Sequence, residues 1–124
     1  MSIRATWVIT PETYASNLGP FLADPTLTTA VFWSYLDVAD LADLVVLAVE
    51  ADTPGHEVVV AAAKDNIGGR DIGAALAATY PEVRVDQIAR PDAGGYALEK
   101  AHRLFGWEPS RSWRDHLPEP GRAP

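Results

Sequence analysis

Apolar positions fall along the chain in short clusters separated by turns rich in proline, glycine and aspartate, and the spacing within each cluster predicts its element. Residues 3–10 are rich in β-branched and aromatic side chains and predict a strand, stopped by Pro11-Glu12. Residues 13–22 predict a short helix before the Asp24-Pro25 turn. Residues 31–36 are short, apolar and aromatic, as in a strand or an extended arm. Asp37 is placed to cap a helix over 38–51, closed by Thr53-Pro54-Gly55. That helix is apolar on nearly every side beyond Asp43, a pattern suited to a core or an interface. Residues 56–62 predict a buried strand, 64–69 a loop, and 70–79 a helix of small residues ended by Tyr80-Pro81. Residues 83–88 alternate and predict a further strand. After a loop at 91–95, residues 97–105 predict a helix with Gly106 as its C-terminal cap, and 107–117 an extended segment with one helical turn. The sum is an α/β (α+β) fold, a small mixed sheet with three to four helices, in one domain over 1–117 with a flexible tail at 118–124.

A chain of 124 residues suits one domain, and its 48% hydrophobic and 22% charged residues are those of a globular protein. The net charge of −7 sits in the first half: residues 1–57 hold eight acids and one base, Arg4, whereas 58–124 hold nine of each. That distribution argues against nucleic acid and against an anionic membrane surface as partners. The absence of cysteine removes disulfides, thiolate metal sites and a cysteine nucleophile, and with no basic start ahead of a long apolar run it leads us to expect a cytoplasmic protein. The longest apolar stretch, 44–49, is too short to span a bilayer.

Three segments, in order, resemble NAD-dependent epimerases and dehydratases, the extended short-chain dehydrogenases/reductases. Trp33-Ser34-Tyr35-Leu36-Asp37-Val38-Ala39-Asp40-Leu41-Ala42 is similar to the family's Y-V-D-V-x-D-L-A run. Gly55-His56-Glu57-Val58-Val59-Val60-Ala61-Ala62 resembles its G-E-x-F-N-I-A strand, with valines in place of the Asn. Glu99-Lys100-Ala101-His102-Arg103-Leu104-Phe105-Gly106-Trp107-Glu108-Pro109 resembles its closing S-K-A-x-R-L-L-G-W-x-P, although Ala97 and Glu99 stand where the family places Asp and Ser. Arg4-Ala5-Thr6-Trp7-Val8-Ile9 is similar to the late strand that leads into the substrate domain. The resemblance covers roughly 3–117 and implies a C-terminal substrate-binding portion. The glycine-rich dinucleotide turn is not among these segments, since neither Gly68-Gly69 nor Gly94-Gly95 follows a first strand into a helix. No cofactor is therefore expected on this chain, and no hydride transfer by it alone.

Several residues are candidates for chemistry. Tyr96 and Lys100 spell the family's Y-x-x-x-K pair, a spacing that on a helix puts phenol and ammonium on one face; a chance match at the closing helix is the competing reading. Asp37 and Asp40, with Asp43, recur every three residues and suit either acid–base work or capping of a helix N-terminus. Arg90, before Pro91-Asp92-Ala93-Gly94-Gly95, lies where the resemblance implies an arginine loop that touches the phosphate of an activated sugar; a surface turn is the plainer alternative. Trp7, Trp33 and Tyr35 are candidates to line an apolar ligand pocket, or else belong to the core. His56, His102 and His116 are dispersed, so no metal site is expected.

Three functions compete. The chain is a substrate-binding lobe for a small-molecule ligand, working with a separate nucleotide-binding half. Alternatively it is a cofactor-independent isomerase, cyclase or dehydratase built on an orphaned lobe, or a non-catalytic dimeric binding protein. Without sheet neighbours on the nucleotide-binding side, Trp7, Val8 and Ile9 would form an exposed edge and, with the apolar 41–49 helix, favour a two-fold homodimer.

Overall fold

The computed structural model describes residues 1–120. Its elements run β1 Ser2–Ala5, β2 Val8–Ile9, α1 Tyr14–Ala23, β3 Leu36–Asp37, α2 Val38–Glu50, β4 Val58–Ala61, α3 Ile72–Thr79 and α4 Glu99–Phe105, followed by a 3₁₀ turn at Trp113–Asp115. The α/β class holds, with four helices and two small parallel sheets of two strands each among the described residues. β1 pairs with β4, Ser2 opposite Val58 through Ala5 opposite Ala61. β2 pairs with β3, Val8 opposite Leu36 and Ile9 opposite Asp37. The antiparallel contact is a lone bridge between Asp65 and Ala93.

The strand expected over 3–10 is thus two strands with different partners. Thr6 N still donates to Ala61 O at 3.0 Å, while Trp7 O already accepts from Leu36 N at 2.9 Å, so the chain changes sheets between these residues. The segment at 31–36 is shorter than expected because Phe32 and Trp33 sit in the left-handed region, with φ of 53° and 57°, and fold it into a turn. The alternating 83–88 segment forms no strand; residues 81–90 are exposed throughout and form an arm whose Ile88 side chain lies against Gly73 of α3.

Helix boundaries follow local chemistry. Asp37 caps α2 by accepting from Ala39 N at 2.8 Å, and Asp71 caps α3 by accepting from Ala74 N at 3.0 Å. Gly106, at φ 66°, closes α4 in the left-handed conformation expected of a C-terminal glycine. Two cores result. Ile9, Tyr14, Leu18, Trp33, Tyr35, Ile67 and Trp113 anchor one under α1 and α3, and Leu36, Leu44, Val59, Ala61, Ala101 and Trp107 the other between the β1–β4 pair, α2 and α4. α2 is not wrapped on all sides. Leu44 is buried, but Val45, Val46 and Val49 face outward, Val49 at 79% exposure. Ile9 is fully buried and Trp7 packs edge-on against Phe21 at 5.9 Å, so these side chains are not the exposed surface expected, while β1 and β2 each pair with one strand only. Within the expected tail, Glu119 holds Arg114 Nε at 2.7 Å; residues 121–124 lie outside the described residues.

Candidate functional site

An open groove of about 1210 Å³ lies between the 83–90 arm and the body. Phe32, Ile72 and Leu76 form its apolar side, and Arg90, Tyr96 and His102 bring polar groups to it. Local geometry sets these positions. The left-handed turn puts Phe32 beside Gly95, where a Cβ would lie 2.6 Å from Phe32 Cβ. Gly95 N donates to Ser34 Oγ at 2.9 Å and Gly94 N to Lys64 O at 2.9 Å, tying the 91–95 loop to the floor. Phe32 then stands edge-on between Tyr80, at 5.6 Å, and Tyr96, at 6.2 Å. Arg90 is half exposed, and its ion pair with Asp92 engages Nε at 2.7 Å. Lys64 reaches the groove paired to Glu108 at 3.2 Å. The lining also carries Arg84 and three acids, Asp86, Glu99 and Glu108, so the groove combines an apolar side with paired charges of both signs.

Of the residues singled out from sequence, Arg90 and Tyr96 line this groove. Tyr96 and Lys100 are not brought together as a helical pair: α4 begins only at Glu99, Tyr96 precedes it, and Lys100 Nζ pairs with Glu57 Oε2 at 2.9 Å. Trp7, Trp33 and Tyr35 are core and not pocket lining. Trp33 donates Nε1 to Leu27 O at 3.0 Å beneath the Arg70 guanidinium, and Tyr35 is fully buried. Phe32, Lys64 and His102 were missed. Glycine allows a close approach by another residue, and Gly94-Gly95 read in that way would have flagged the place where Phe32 packs.

Asp37 and Asp40 do not share a site, because each is turned to a different task. Asp37 accepts from the Tyr14 hydroxyl at 2.7 Å, with His116 stacked on Tyr14 at 4.1 Å and its Nε2 3.6 Å from the same carboxylate. Asp40 accepts from Ser110 N at 3.1 Å, Arg111 N at 3.0 Å and Arg111 Nη1 at 2.7 Å, and its backbone carbonyl accepts from Trp107 Nε1 at 3.0 Å. Asp43 shares the same Arg111 nitrogen at 3.0 Å. Asp65, unremarked in the sequence, is the third buried carboxylate. It accepts from Tyr35 Oη at 2.6 Å, from Arg114 Nη1 at 2.7 Å and from Ser112 Oγ. Together these three carboxylates clasp residues 110–116 onto the body.

Electrostatics follow from this burial. Burial first, then the hydrogen bond to Asp37, pushes the Tyr14 phenol well above the ordinary tyrosine range. Burial, then the Asp65 charge, does the same to Tyr35. The hydrogen bonds to Asp43 and Asp40 raise Arg111 further above its already basic value. Among the described residues, every buried side-chain nitrogen and oxygen has a partner, so the buried polar groups hold structure. The Gly68-Gly69 turn is itself filled, since a Cβ at Gly69 would run into the Arg114 guanidinium. Among the described residues no three His, Asp or Glu side chains gather as metal ligands, and no helix is long and apolar enough to cross a membrane. In comparison with known proteins, no family model, no curated protein and no solved structure matches the chain.

Proposed function

We propose that the chain is a substrate-binding lobe of the kind found in NAD-dependent epimerases and dehydratases, holding a small molecule in the groove and joining a nucleotide-binding half carried elsewhere. The observation that carries this reading is the unfinished parallel sheet. β1 pairs in parallel with β4 alone, and Arg4 and Ala5 at its end are exposed. Parallel strands ordinarily lie inside sheets covered on both faces, and a sheet of two strands is marginal by itself. A neighbouring parallel strand on the free edge of β1 would complete it. The outward valines of α2 offer a further apolar face for the same partner.

The groove supports a ligand such as a nucleotide-linked sugar. Its ring systems would pack on Phe32 and the Ile72–Leu76 side, and its phosphates would meet the planar fork of Arg90. Hydride chemistry would come from the other half.

Calorimetric titration of the chain with UDP-glucose as probe, and separately with NADH, tests the reading. Saturable binding of UDP-glucose is expected, weakened roughly tenfold or more by Arg90→Ala, because one charge-assisted contact is worth about 1.5–3 kcal/mol. Saturable micromolar binding of NADH to the chain, or equal affinity of the Arg90→Ala variant for UDP-glucose, would overturn it.

A further inference from the structure

The exposed large apolar side chains concentrate in two places, the outer face of α2 and the arm, where Val83 is 45% and Val85 42% exposed. The arm is the stranger of the two. Its sequence, Val83-Arg84-Val85-Asp86-Gln87-Ile88, has the alternation of a strand and is bracketed by Pro81 and Pro91. Val83 N donates back to Tyr80 O and Ala93 N to Arg90 O, but among the described residues no backbone group of residues 84–89 enters a hydrogen bond. A β-prone segment with free amides and carbonyls is a template for another strand.

Charge selects the occupant. Arg84 and Asp86 project on one side of the arm, Nε to Oδ1 at 2.7 Å, with both side chains mostly exposed. If two copies of the arm run antiparallel with Val85 opposite itself, each Arg84 faces the other copy's Asp86, and Val83 faces Gln87. Moving the register by one pair in either direction sets Arg84 against Arg84 or Asp86 against Asp86. Opposite charges directly across an antiparallel pair stabilise it and like charges oppose it. The segment is therefore complementary to itself in one register.

We propose that the arm is a self-recognition strand, pairing antiparallel with the arm of a second copy of this chain about a two-fold axis through Val85. The contact is small, so the dimer is weak and concentration-dependent. It is separate from the sheet edge of β1; the arm also walls the groove, so its test is run with no groove ligand present.

The chain has no cysteine, so single cysteines report the register cleanly. Val85→Cys is expected to oxidise to a covalent dimer much faster than Val49→Cys, an exposed position on α2 that serves as the collision control. Val83→Cys and Gln87→Cys are expected to link slowly alone and quickly when mixed. In sedimentation, Arg84→Asp and Asp86→Arg are each expected to weaken the dimer about tenfold, and the double exchange to restore it. Linkage of Val85→Cys no faster than the control, or a double exchange as weak as the single variants, would overturn the proposal.

Discussion

At the residue scale, the buried carboxylates explain how a small chain keeps its long C-terminal segment in place. Asp40 is 1% exposed and accepts from two backbone amides and an arginine, so its charge is met by donors from the segment it holds. Asp37 and Asp65 are held in part by phenols, and that has a pH consequence. Tyr14 and Tyr35 keep their protons in the fold at pH values where an unfolded tyrosine has lost its own. Because the folded value is raised, their contribution is intact below about pH 10, the unfolded tyrosine value, and declines as pH rises beyond it. Stability is expected to fall there by up to about 1.4 kcal/mol per pH unit for each phenol. Tyr14→Phe is expected to lower stability at neutral pH by about 1–3 kcal/mol, through the donor lost to Asp37, and to make the alkaline decline shallower. Urea unfolding midpoints followed from neutral pH into the alkaline range measure both effects.

At the element scale, the groove depends on a turn meeting a loop. Two consecutive bulky residues in the left-handed region, Phe32 and Trp33, carry strain of order 1–3 kcal/mol each that the surrounding contacts must offset. They do so where Trp33 is locked under Arg70 and Phe32 sits against Gly95. Gly95→Ala is expected to displace Phe32 and cost about 1–3 kcal/mol, with loss of UDP-glucose binding in the same variant. Gly106→Ala makes the contrast: a Cβ there meets nothing within 4 Å, so only its positive φ is penalised, at about 1–2 kcal/mol, and binding should be kept. Chemical denaturation and calorimetric titration of the two variants separate contact from conformation. The same scale shows what periodicity could and could not convey. The spacing around Val38–Glu50 and the glycine at 106 located α2 and the end of α4, whereas the alternation of 83–88 described a strand for which this fold supplies no neighbour.

For the whole molecule, the open edge of β1 is the feature with the widest consequence. Ser2 N donates to Glu57 O at 2.8 Å and Thr6 N to Ala61 O at 3.0 Å, so alternation turns the amides of Ile3 and Ala5 toward the free edge. In hydrogen exchange those two amides are expected to be fast in the isolated chain while Ser2 and Thr6 lag, and to become slow if the proposed nucleotide-binding half docks there. Slow exchange at Ile3 and Ala5 in the isolated chain would mean that the edge is closed without a partner.

What the sequence determined by itself is the local part: the α/β class, the helices, the Asp37 cap of α2 and the Gly106 end of α4. These follow from propensities, capping chemistry and spacing, which act over a few residues. Which side chains share a site was a tertiary decision. Asp37, Asp40 and Asp43 recur every three residues, yet their partners Tyr14, His116, Ser110 and Arg111 come from segments 23 to 79 positions away, and no local spacing encodes that. Trp33 and Tyr35 could equally have lined a pocket until the turn at 32–33 buried them. The two-way split of the first strand depended in the same way on where β3 and β4 arrived, because a parallel strand's partner is set by the long connection between them and not by its own residues.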